Sequence, residues 1–369
     1  RQTAKSTLVE HTTTLMTNKE TVLFCGNFVK DNIIHYNKSK NETVSQTCSL
    51  GGSVTFGSLA FSHYVQGEHL FDVRVVSNVD GSLLNPSERE LVNSMFLSPS
   101  REDSTQVSLP PSVESLRHEN HSLAQQNDAC YLTSYNLLYN DENIMTNERT
   151  LTLHCKGPSM NDPQWLLQQC KTKPLPSAIF FVPVAAEFDE LAVAHVMDNI
   201  NKLYESSPSE RYPLVCCDIQ GFLRTFEPPE DDSSSGLSVT SHPSVVMKEK
   251  LKILGEHVFL LKADLNEANA VLRDDQSSEL VLSPYECAKR MHKLFGFKVV
   301  CVTMGPQGCL VSCKANNHQV FIRGSHDHSA EDNKEEVISE YINAYQPKHT
   351  VDETGCGDTF LACLVAELL

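Results

Sequence analysis

The sequence predicts an α/β protein built on a mostly parallel sheet that helices cover on both faces. Four short apolar runs in the second half have the length of buried strands: 178–184, 214–217, 258–261 and 299–303. Amphipathic helical patterns at 187–204 and 284–295 lie between them. Buried strands that alternate with amphipathic helices are typical of parallel sheets, because each crossover helix packs on one face.

The first half predicts strands and one helix in a different arrangement. Residues 21–26 form an apolar run that ends in glycine, and Gly51 and Gly52 precede an apolar helical segment. Apolar and polar residues alternate over 130–137 and 149–154, which predicts a half-exposed hairpin.

The remaining parts of the chain are polar and predict a tail and insertions around one domain. We expect a polar tail over 1–20, a single domain over 21–369, and insertions at about 80–128, 227–250 and 314–349.

Composition excludes several classes of partner. The 369 residues carry a formal net charge of −17, so a general nucleic-acid or anionic-membrane surface is not expected. The 13 cysteines include no C-x-x-C pair, and no stretch approaches the roughly 18 apolar residues of a membrane span. Reduced thiols and a polar N-terminus predict a cytoplasmic protein.

The most informative segment is Asp-Glu-Thr-Gly-Cys-Gly-Asp at 352–358, which leads into an apolar helical pattern. Gly355 and Gly357 permit a tight turn whose backbone N–H groups, with the helix dipole, can bind an anion. Asp358 at the mouth of this turn could accept a proton from a phosphoryl acceptor. Asp358 could instead cap the helix, and local chemistry alone favours that commoner role.

This segment resembles the second signature of the ribokinase-like (PfkB) carbohydrate kinases, Asp-Thr-x-Gly-Ala-Gly-Asp-x-Phe. Glu353 replaces the usual Thr and Cys356 the usual Ala. The resemblance implies that Asp358 is the catalytic base and that Gly355, Cys356 and Gly357 form the anion hole. It also implies a ribokinase-like three-layer sandwich with a small β-strand lid, formed at about 31–50 and 130–155.

Further landmarks follow the family's order along the chain. Gly26-Asn-Phe-Val-Lys-Asp31 and the pair Gly51-Gly52 resemble the segments that bind the acceptor. The segment 303–308 resembles the turn beside the nucleotide phosphates, which implies cofactor-binding roles for Thr303, Gly305 and Gly308.

The family's Asn-x-x-Glu motif reads Asp264-Leu-Asn-Glu267 here. The resemblance implies that Asp264, Glu267 and Arg224 bind the donor, and that Glu267 and Asp352 serve the metal. A solvated acidic turn is the alternative for Asp264 and Glu267, and a surface position at a strand end is the alternative for Arg224.

The implied reaction is ATP-dependent phosphorylation of a hydroxyl on a small polyol or sugar, with Mg²⁺ and K⁺ as candidate cofactors. Segments such as 218–224 and 261–268 are similar to the plant-type myo-inositol kinase branch. Phe56 stands where ribokinase proper has a substrate-contacting Asn, which counts against ribose. Ribose, fructose or nucleoside phosphorylation, and a non-catalytic ligand-binding relative, stay open as alternatives. Family members extend further beyond the base, so we expect the C-terminal end of the fold to be missing here.

Overall fold

The computed structural model describes most of the chain, in fifteen stretches. They are residues 19–37, 39–40, 42–66, 71–79, 84, 86–96, 105–108, 132–140, 149–206, 211–227, 236–241, 245–273, 281–314, 337–346 and 354–369.

These residues form strands and helices, numbered here along the chain. The strands are β1 (Glu20–Cys25), β2 (Val29–Asn37), β3 (Glu42–Gly51), β4 (Phe71–Val76), β5 (Thr105–Ser108), β6 (Thr133–Asn140), β7 (Arg149–Cys155), β8 (Pro176–Phe181), β9 (Leu214–Asp218), β10 (Arg224–Glu227), β11 (Leu237–Ser241), β12 (Leu260–Asp264), β13 (Val299–Thr303), β14 (Cys309–Lys314) and β15 (Val337–Ile342). The helices are α1 (Ser53–Tyr64), α2 (Pro86–Phe96), α3 (Pro163–Cys170), α4 (Glu190–Glu205), α5 (Gln220–Leu223), α6 (Val245–His257), α7 (Leu265–Leu272), α8 (Pro284–Phe295) and α9 (Cys356–Leu368).

The central sheet has nine strands in the order β15-β14-β13-β12-β9-β8-β1-β4-β5. The strands from β13 to β5 run parallel to one another, and β14 and β15 are antiparallel additions at one edge. The carboxyl ends of β9, β12 and β13 therefore meet at one edge of the sheet, which is where open α/β sheets bind ligands.

Both faces of this sheet are buried. In β1, Leu23 and Cys25 pack with the helices α3, α4, α6, α7 and α8, whereas Val22 and Phe24 pack with α1 and α9. Successive strand residues point to opposite faces, so this alternation produces two cores and three layers. The predicted α/β fold with a central, mostly parallel sheet is confirmed.

Local sequence signals explain several helix boundaries. In α8, the Ser283 side chain accepts a hydrogen bond from the Glu286 N–H, and Pro284 fills the first helical position. Gly296 ends the helix with a φ of 86°, which a residue with a Cβ rarely adopts.

A second sheet has six strands in the order β10-β11-β7-β6-β2-β3. Strand β2 pairs with β3 in an antiparallel and with β6 in a parallel register. The hairpin predicted from residues 130–137 and 149–154 is present as β6 and β7. This second sheet, called the lid sheet below, also contains β10 and β11.

The polar regions contain more regular structure than insertions would require. Helix α2 and strand β5 lie within 80–128, β11 and the first residues of α6 lie within 227–250, and β15 lies within 314–349. Helix α2 is polar on average, so its residues gave only a weak hydrophobic pattern.

Among the residues described, eleven cysteines are free thiols and Cys155 is disulfide-bonded. None of the helices in these stretches is both long and apolar enough to cross a bilayer.

Candidate active site

The edge formed by the carboxyl ends of the parallel strands collects polar side chains. Asp218 ends β9, Asp264 ends β12 and Thr303 ends β13, and Asp264 and Thr303 are direct partners in the sheet register. The N-termini of α1 and α9 reach the same region, because Asp358 of α9 interacts with both Ser53 of α1 and Asp218.

The turn before α9 has the conformation that its glycines predict. Gly355 has a φ of 81° and is the N-cap residue of α9. Its carbonyl accepts a hydrogen bond from the Thr359 N–H at 2.9 Å. A Cβ at Gly355 would overlap the Phe56 ring, so the position requires glycine for space as well as for conformation. Backbone N–H groups at the start of a helix are suited to bind an anion.

Asp358 is not the cap of this helix. It is the third residue of α9, the cap residue is Gly355, and no side chain hydrogen-bonds to the cap. The Asp358 Oδ1 atom is buried and has no hydrogen-bond partner within the described stretches. Burial, with Asp218 nearby, raises the pKa of Asp358 to about 6, against the opposing effects of Lys262, a Ser53 hydrogen bond and Arg224.

The predicted acceptor residues lie together beside α1. Asp31 on β2 is buried, and a Cβ at Gly51 would overlap its Oδ2 atom. Gly52 caps α1 with a φ of 87°, and a Cβ there would contact Val29 and the Asn27 carbonyl. Gly51 therefore lets the Asp31 carboxylate lie against the backbone just before α1.

The predicted nucleotide turn follows β13 and is closed by its own backbone hydrogen bonds. Met304 N–H donates to Gly308 O at 2.8 Å, and Gly308 N–H donates to Gly305 O at 3.0 Å. Gly305 has a φ of 55° and open space around it, whereas Gly308, with a φ of 97°, lies against Ile342 and Ala344. The Thr303 hydroxyl donates to Ala263 O at 3.4 Å.

Asp264 and Glu267 form a capping box at the start of α7. Asp264 Oδ1 accepts the Glu267 N–H at 2.7 Å, and Glu267 Oε2 accepts the Asp264 N–H at 2.8 Å. Burial raises the pKa of Glu267 to about 8, and Asp264 and Asp218 act in the same direction while Lys262 opposes them. Each carboxylate keeps one oxygen outside the box.

Arg224 lies on the lid side of the site. Its guanidinium donates to Val184 O at 2.9 Å and stands 5.4 Å from the Tyr135 ring centroid, in a cation–π arrangement. Burial raises the pKa of the Tyr135 phenol, whose hydroxyl donates to the same carbonyl at 2.7 Å.

The lid sheet also contacts the segment of the proposed base. The Tyr139 hydroxyl of β6 lies 3.5 Å from the Thr354 Oγ1 atom. Asp352, predicted to serve a metal, lies outside the described residues.

The site also contains a pair of buried charges to which the sequence analysis gave no role. Lys262 on β12 donates to Asp218 Oδ2 at 2.7 Å, and both side chains are buried. Burial lowers the pKa of Lys262, but the charges of Asp218, Glu267 and Asp358 outweigh it and raise that pKa above the ordinary range. The sequence signal that could have revealed this pair is a lysine within an apolar strand, because a buried charge needs a partner.

The sequence of the second part of the chain matches a known family model. Residues 234–369 match the model described as pfkB family carbohydrate kinase. This region belongs to the PfkB family. The ribokinase-like PfkB assignment predicted from the motifs is therefore confirmed, whereas no curated protein sequence is significantly similar to the chain.

Solved structures of ribokinase-family proteins share the PfkB fold with this chain. The ribokinase of Giardia lamblia superposes with a TM-score of 0.55 at 10% identity, covering 95% of this chain and 82% of the other. A pyrophosphate-dependent ribokinase-family kinase, complexed with a pyrophosphate analogue and myo-inositol, gives a TM-score of 0.53 at 15% identity, with 92% and 84% coverage. The Arabidopsis thaliana ribokinase, complexed with ribose and ATP, gives 0.50 at 12% identity, with 95% and 87% coverage.

Proposed function

We propose that the chain transfers a phosphoryl group from ATP to a hydroxyl of a small polyol or sugar, with myo-inositol as the first candidate. Asp358 accepts the proton of the acceptor hydroxyl, and the amides of Gly355, Cys356 and Gly357 stabilise the charge on the transferring group. Asp31, Gly51 and Gly52 hold the acceptor.

The observation that carries the proposal is the state of the Asp358 carboxylate. Its Oδ1 atom is buried and lacks a hydrogen-bond partner in the described stretches, although the helix it belongs to is capped by Gly355. A buried carboxylate oxygen without a hydrogen-bond partner is costly, so this atom marks Asp358 as a functional-site candidate. A pKa raised to about 6 brings Asp358 close to neutral pH, where a general base works best.

The acceptor side is supported by the position of Asp31. Its carboxylate lies against Gly51 at the N-terminal end of α1, and Asp358 interacts with Ser53 in the first turn of the same helix. A hydroxyl bound by Asp31 would therefore be near the base. The lid sheet, which contains β2, carries Asp31 as well, so acceptor binding and lid position are linked through one strand.

The donor side is supported by the turn after β13 and by the helix dipole of α9. Gly305 has open space, which lets a phosphate approach the backbone there. No group of three or more histidine, cysteine or acidic residues is arranged as a metal cage in the described part of the chain. The free oxygens of Asp264 and Glu267 fit a magnesium ion held mainly by donor phosphates and water. When bound, that ion would neutralise charge on the donor phosphates.

In this proposal Arg224 is a cationic contact for the donor phosphates in addition to the magnesium ion. Its guanidinium interacts with Asp358 electrostatically, so it lies within reach of the reacting centre from the lid side. Asp352 and a K⁺ site stay predictions of the sequence.

A phosphoryl-transfer assay tests the proposal. Purified protein is incubated with myo-inositol, ribose, fructose or adenosine, each with Mg-ATP and in parallel with pyrophosphate as donor. We expect turnover of a polyol or sugar with ATP and its loss in Asp358→Asn. No turnover of any acceptor, with no Mg-ATP binding by calorimetry, would leave a non-catalytic ligand-binding protein and reject the proposal.

A further inference from the structure

Lys262 is the one buried cation at the centre of the acidic cluster among the described residues. Three carboxylates act on its charge: Asp218, Glu267 and Asp358. Lys262 lies on β12, which is in the middle of the parallel sheet between β9 and β13. A buried ion pair rarely adds stability over a well-packed apolar pair, so stability alone does not explain why charges occupy these positions.

The ammonium group points at the turn that forms the anion hole. A Cβ added to Gly357 would lie 3.0 Å from Lys262 Nζ and 3.1 Å from its Cε, so the side chain packs directly beneath that glycine. Within the described stretches, its one side-chain hydrogen bond is to Asp218. A lysine has three N–H donors, so two of them remain for the space under the turn.

Asp218 fixes the position of this ammonium. Its Oδ2 atom accepts the Lys262 hydrogen bond at 2.7 Å, while its Oδ1 atom accepts the Gln220 N–H at 3.0 Å. The carboxylate is fully buried and is held at both oxygens. The strands are held together next to the pair, since Ile219 N–H donates to Lys262 O at 3.1 Å.

We propose that Lys262, held by Asp218, is a positioning residue for phosphoryl transfer. Its ammonium supports the Gly355–Gly357 turn from below and supplies positive charge beneath the anion hole while Asp358 receives the proton. This inference rests on the proposed function, because it assigns a role at that site.

The charged neighbours of Asp358 shift its pKa in opposite directions, which makes the proposal testable. Asp218, Lys262 and Arg224 are the charged groups that act on Asp358, and Ser53 donates a hydrogen bond to it. Lys262 and Arg224 favour the ionised carboxylate, and Asp218 disfavours it. The thiols Cys217 and Cys301 also lie near Lys262, but burial raises their pKa values, so they stay neutral.

The experiment compares Lys262→Met, Asp218→Asn and Lys262→Arg by the pH dependence of kcat/KM. Removing the cation should move the acidic limb of the profile to higher pH by at least about one pH unit, and kcat should fall by at least about tenfold. Asp218→Asn should move the limb to lower pH. Lys262→Arg keeps the charge and should keep the limb at its wild-type position.

Two further variants separate this role from a purely structural one. Lys262→Met combined with Asp218→Asn removes both charges, so it should fold even if the single Lys262 variant does not, and kcat should still be low. Ser312→Ala removes a buried hydrogen bond to His292 outside the site and should lower Tm without moving the limb.

A readout that needs no turnover is the ¹³C titration of the Asp358 carboxyl in protein labelled at aspartate Cγ, assigned with Asp358→Asn. The carboxyl pKa should rise in Lys262→Met and fall in Asp218→Asn. If neither variant moves it, or both move it in the same direction, the role of Lys262 is rejected. If wild-type protein transfers no phosphoryl group to any acceptor while the pKa values move as expected, the proposed function fails and the electrostatic arrangement stands.

Discussion

Two glycine turns at the starts of helices carry the proposed acceptor and donor sides of this site, and they differ in what surrounds them. Both begin with a glycine in the left-handed region that caps a helix without a side-chain hydrogen bond, Gly52 with a φ of 87° and Gly355 with a φ of 81°. Both therefore bring the first turn of a helix, with its positive dipole end, to the site.

The turn before α1 is already filled by the protein. The Asp31 carboxylate lies against Gly51, Val29 packs against Gly52, and the Thr55 hydroxyl donates to Gly51 O at 2.6 Å. At the turn before α9, the Phe56 ring packs against Gly355, but the Asp358 Oδ1 atom beyond it has no partner in the described stretches. The first turn is packed by the protein's own side chains, whereas the second lies beside a buried carboxylate oxygen that has no partner in the described stretches.

The largest effect should come from removing the reactive group. In Asp358→Asn we expect kcat to fall about 10²- to 10⁴-fold, the range for loss of a general base, without a loss of Tm. The matched control is Asp162→Ala at the start of α3, where the carboxylate accepts the Gln164 and Trp165 N–H groups. That variant should lose about 1 kcal/mol of stability and keep its kcat. If both variants changed only Tm, Asp358 would be a structural residue.

The two turns should respond differently when a methyl group is added to each. Gly355→Ala must move the Phe56 ring or the turn, so we expect kcat to fall about 10- to 100-fold. Gly51→Ala must move Asp31, so the KM for the acceptor should rise about tenfold with a smaller change in kcat. Gly296→Ala at the end of α8, with a φ of 86° and its nearest neighbour the Gly255 carbonyl at 3.8 Å, controls for backbone strain alone. Equal kinetic changes in all three variants would show that strain, not position, decides the outcome.

The ionisation of Asp358 should also be visible in stability. Its pKa is about 6 in the folded chain and about 3.9 in an unfolded one, so the folded state binds the proton more tightly. Wild-type stability should therefore fall, relative to Asp358→Asn, as pH rises from about 4 to about 6. Urea unfolding at pH 4.5 and 7.5 measures the difference. A gap between the two proteins that does not change with pH would contradict a raised pKa.

The smallest effect should come from the contact between the lid sheet and the reactive turn. Tyr139→Phe removes a hydroxyl that lies 3.5 Å from Thr354 Oγ1, so the loss should be about twofold in kcat/KM. Donor hydrolysis without acceptor should rise by a similar factor if the lid excludes water. Tyr36→Phe, on the neighbouring strand β2, is a control for loss of a lid tyrosine hydroxyl. No difference between the two variants would show that the Thr354 contact has no role.

The parallel sheet could be predicted because its signals are local. The apolar runs at 178–184, 214–217 and 299–303 became β8, β9 and β13, and the pattern at 284–295 became α8. Buried strands and amphipathic helices carry their hydrophobic period in consecutive residues, so the sequence shows them directly. The helix α2 is polar on average, so its apolar residues stood out less, and it lay in a region that we expected to be an insertion.

The candidate site was only partly readable, since its members come from distant segments. The family resemblance pointed to Asp31, Gly51, Gly355 and Asp358. In the structure Asp31 lies against Gly51 just before α1, and Asp358 interacts with Ser53 of the same helix. No local pattern showed that Lys262 lies beneath Gly357, because the two are 95 positions apart in the numbering and meet only through the packing of α9 on the sheet.

By itself the sequence determined the α/β class, the glycine turns and the PfkB match of its second part, because each depends on residue types at fixed short spacings. Only the tertiary structure showed that Gly355, and not Asp358, caps α9 and that one Asp358 oxygen has no partner within the described stretches. A cap is defined by which backbone N–H groups the carboxylate reaches, and that depends on where α9 begins and what surrounds it. The same packing made Lys262 and Asp218 a buried pair beside Gly357, because burial makes each charge depend on its neighbours.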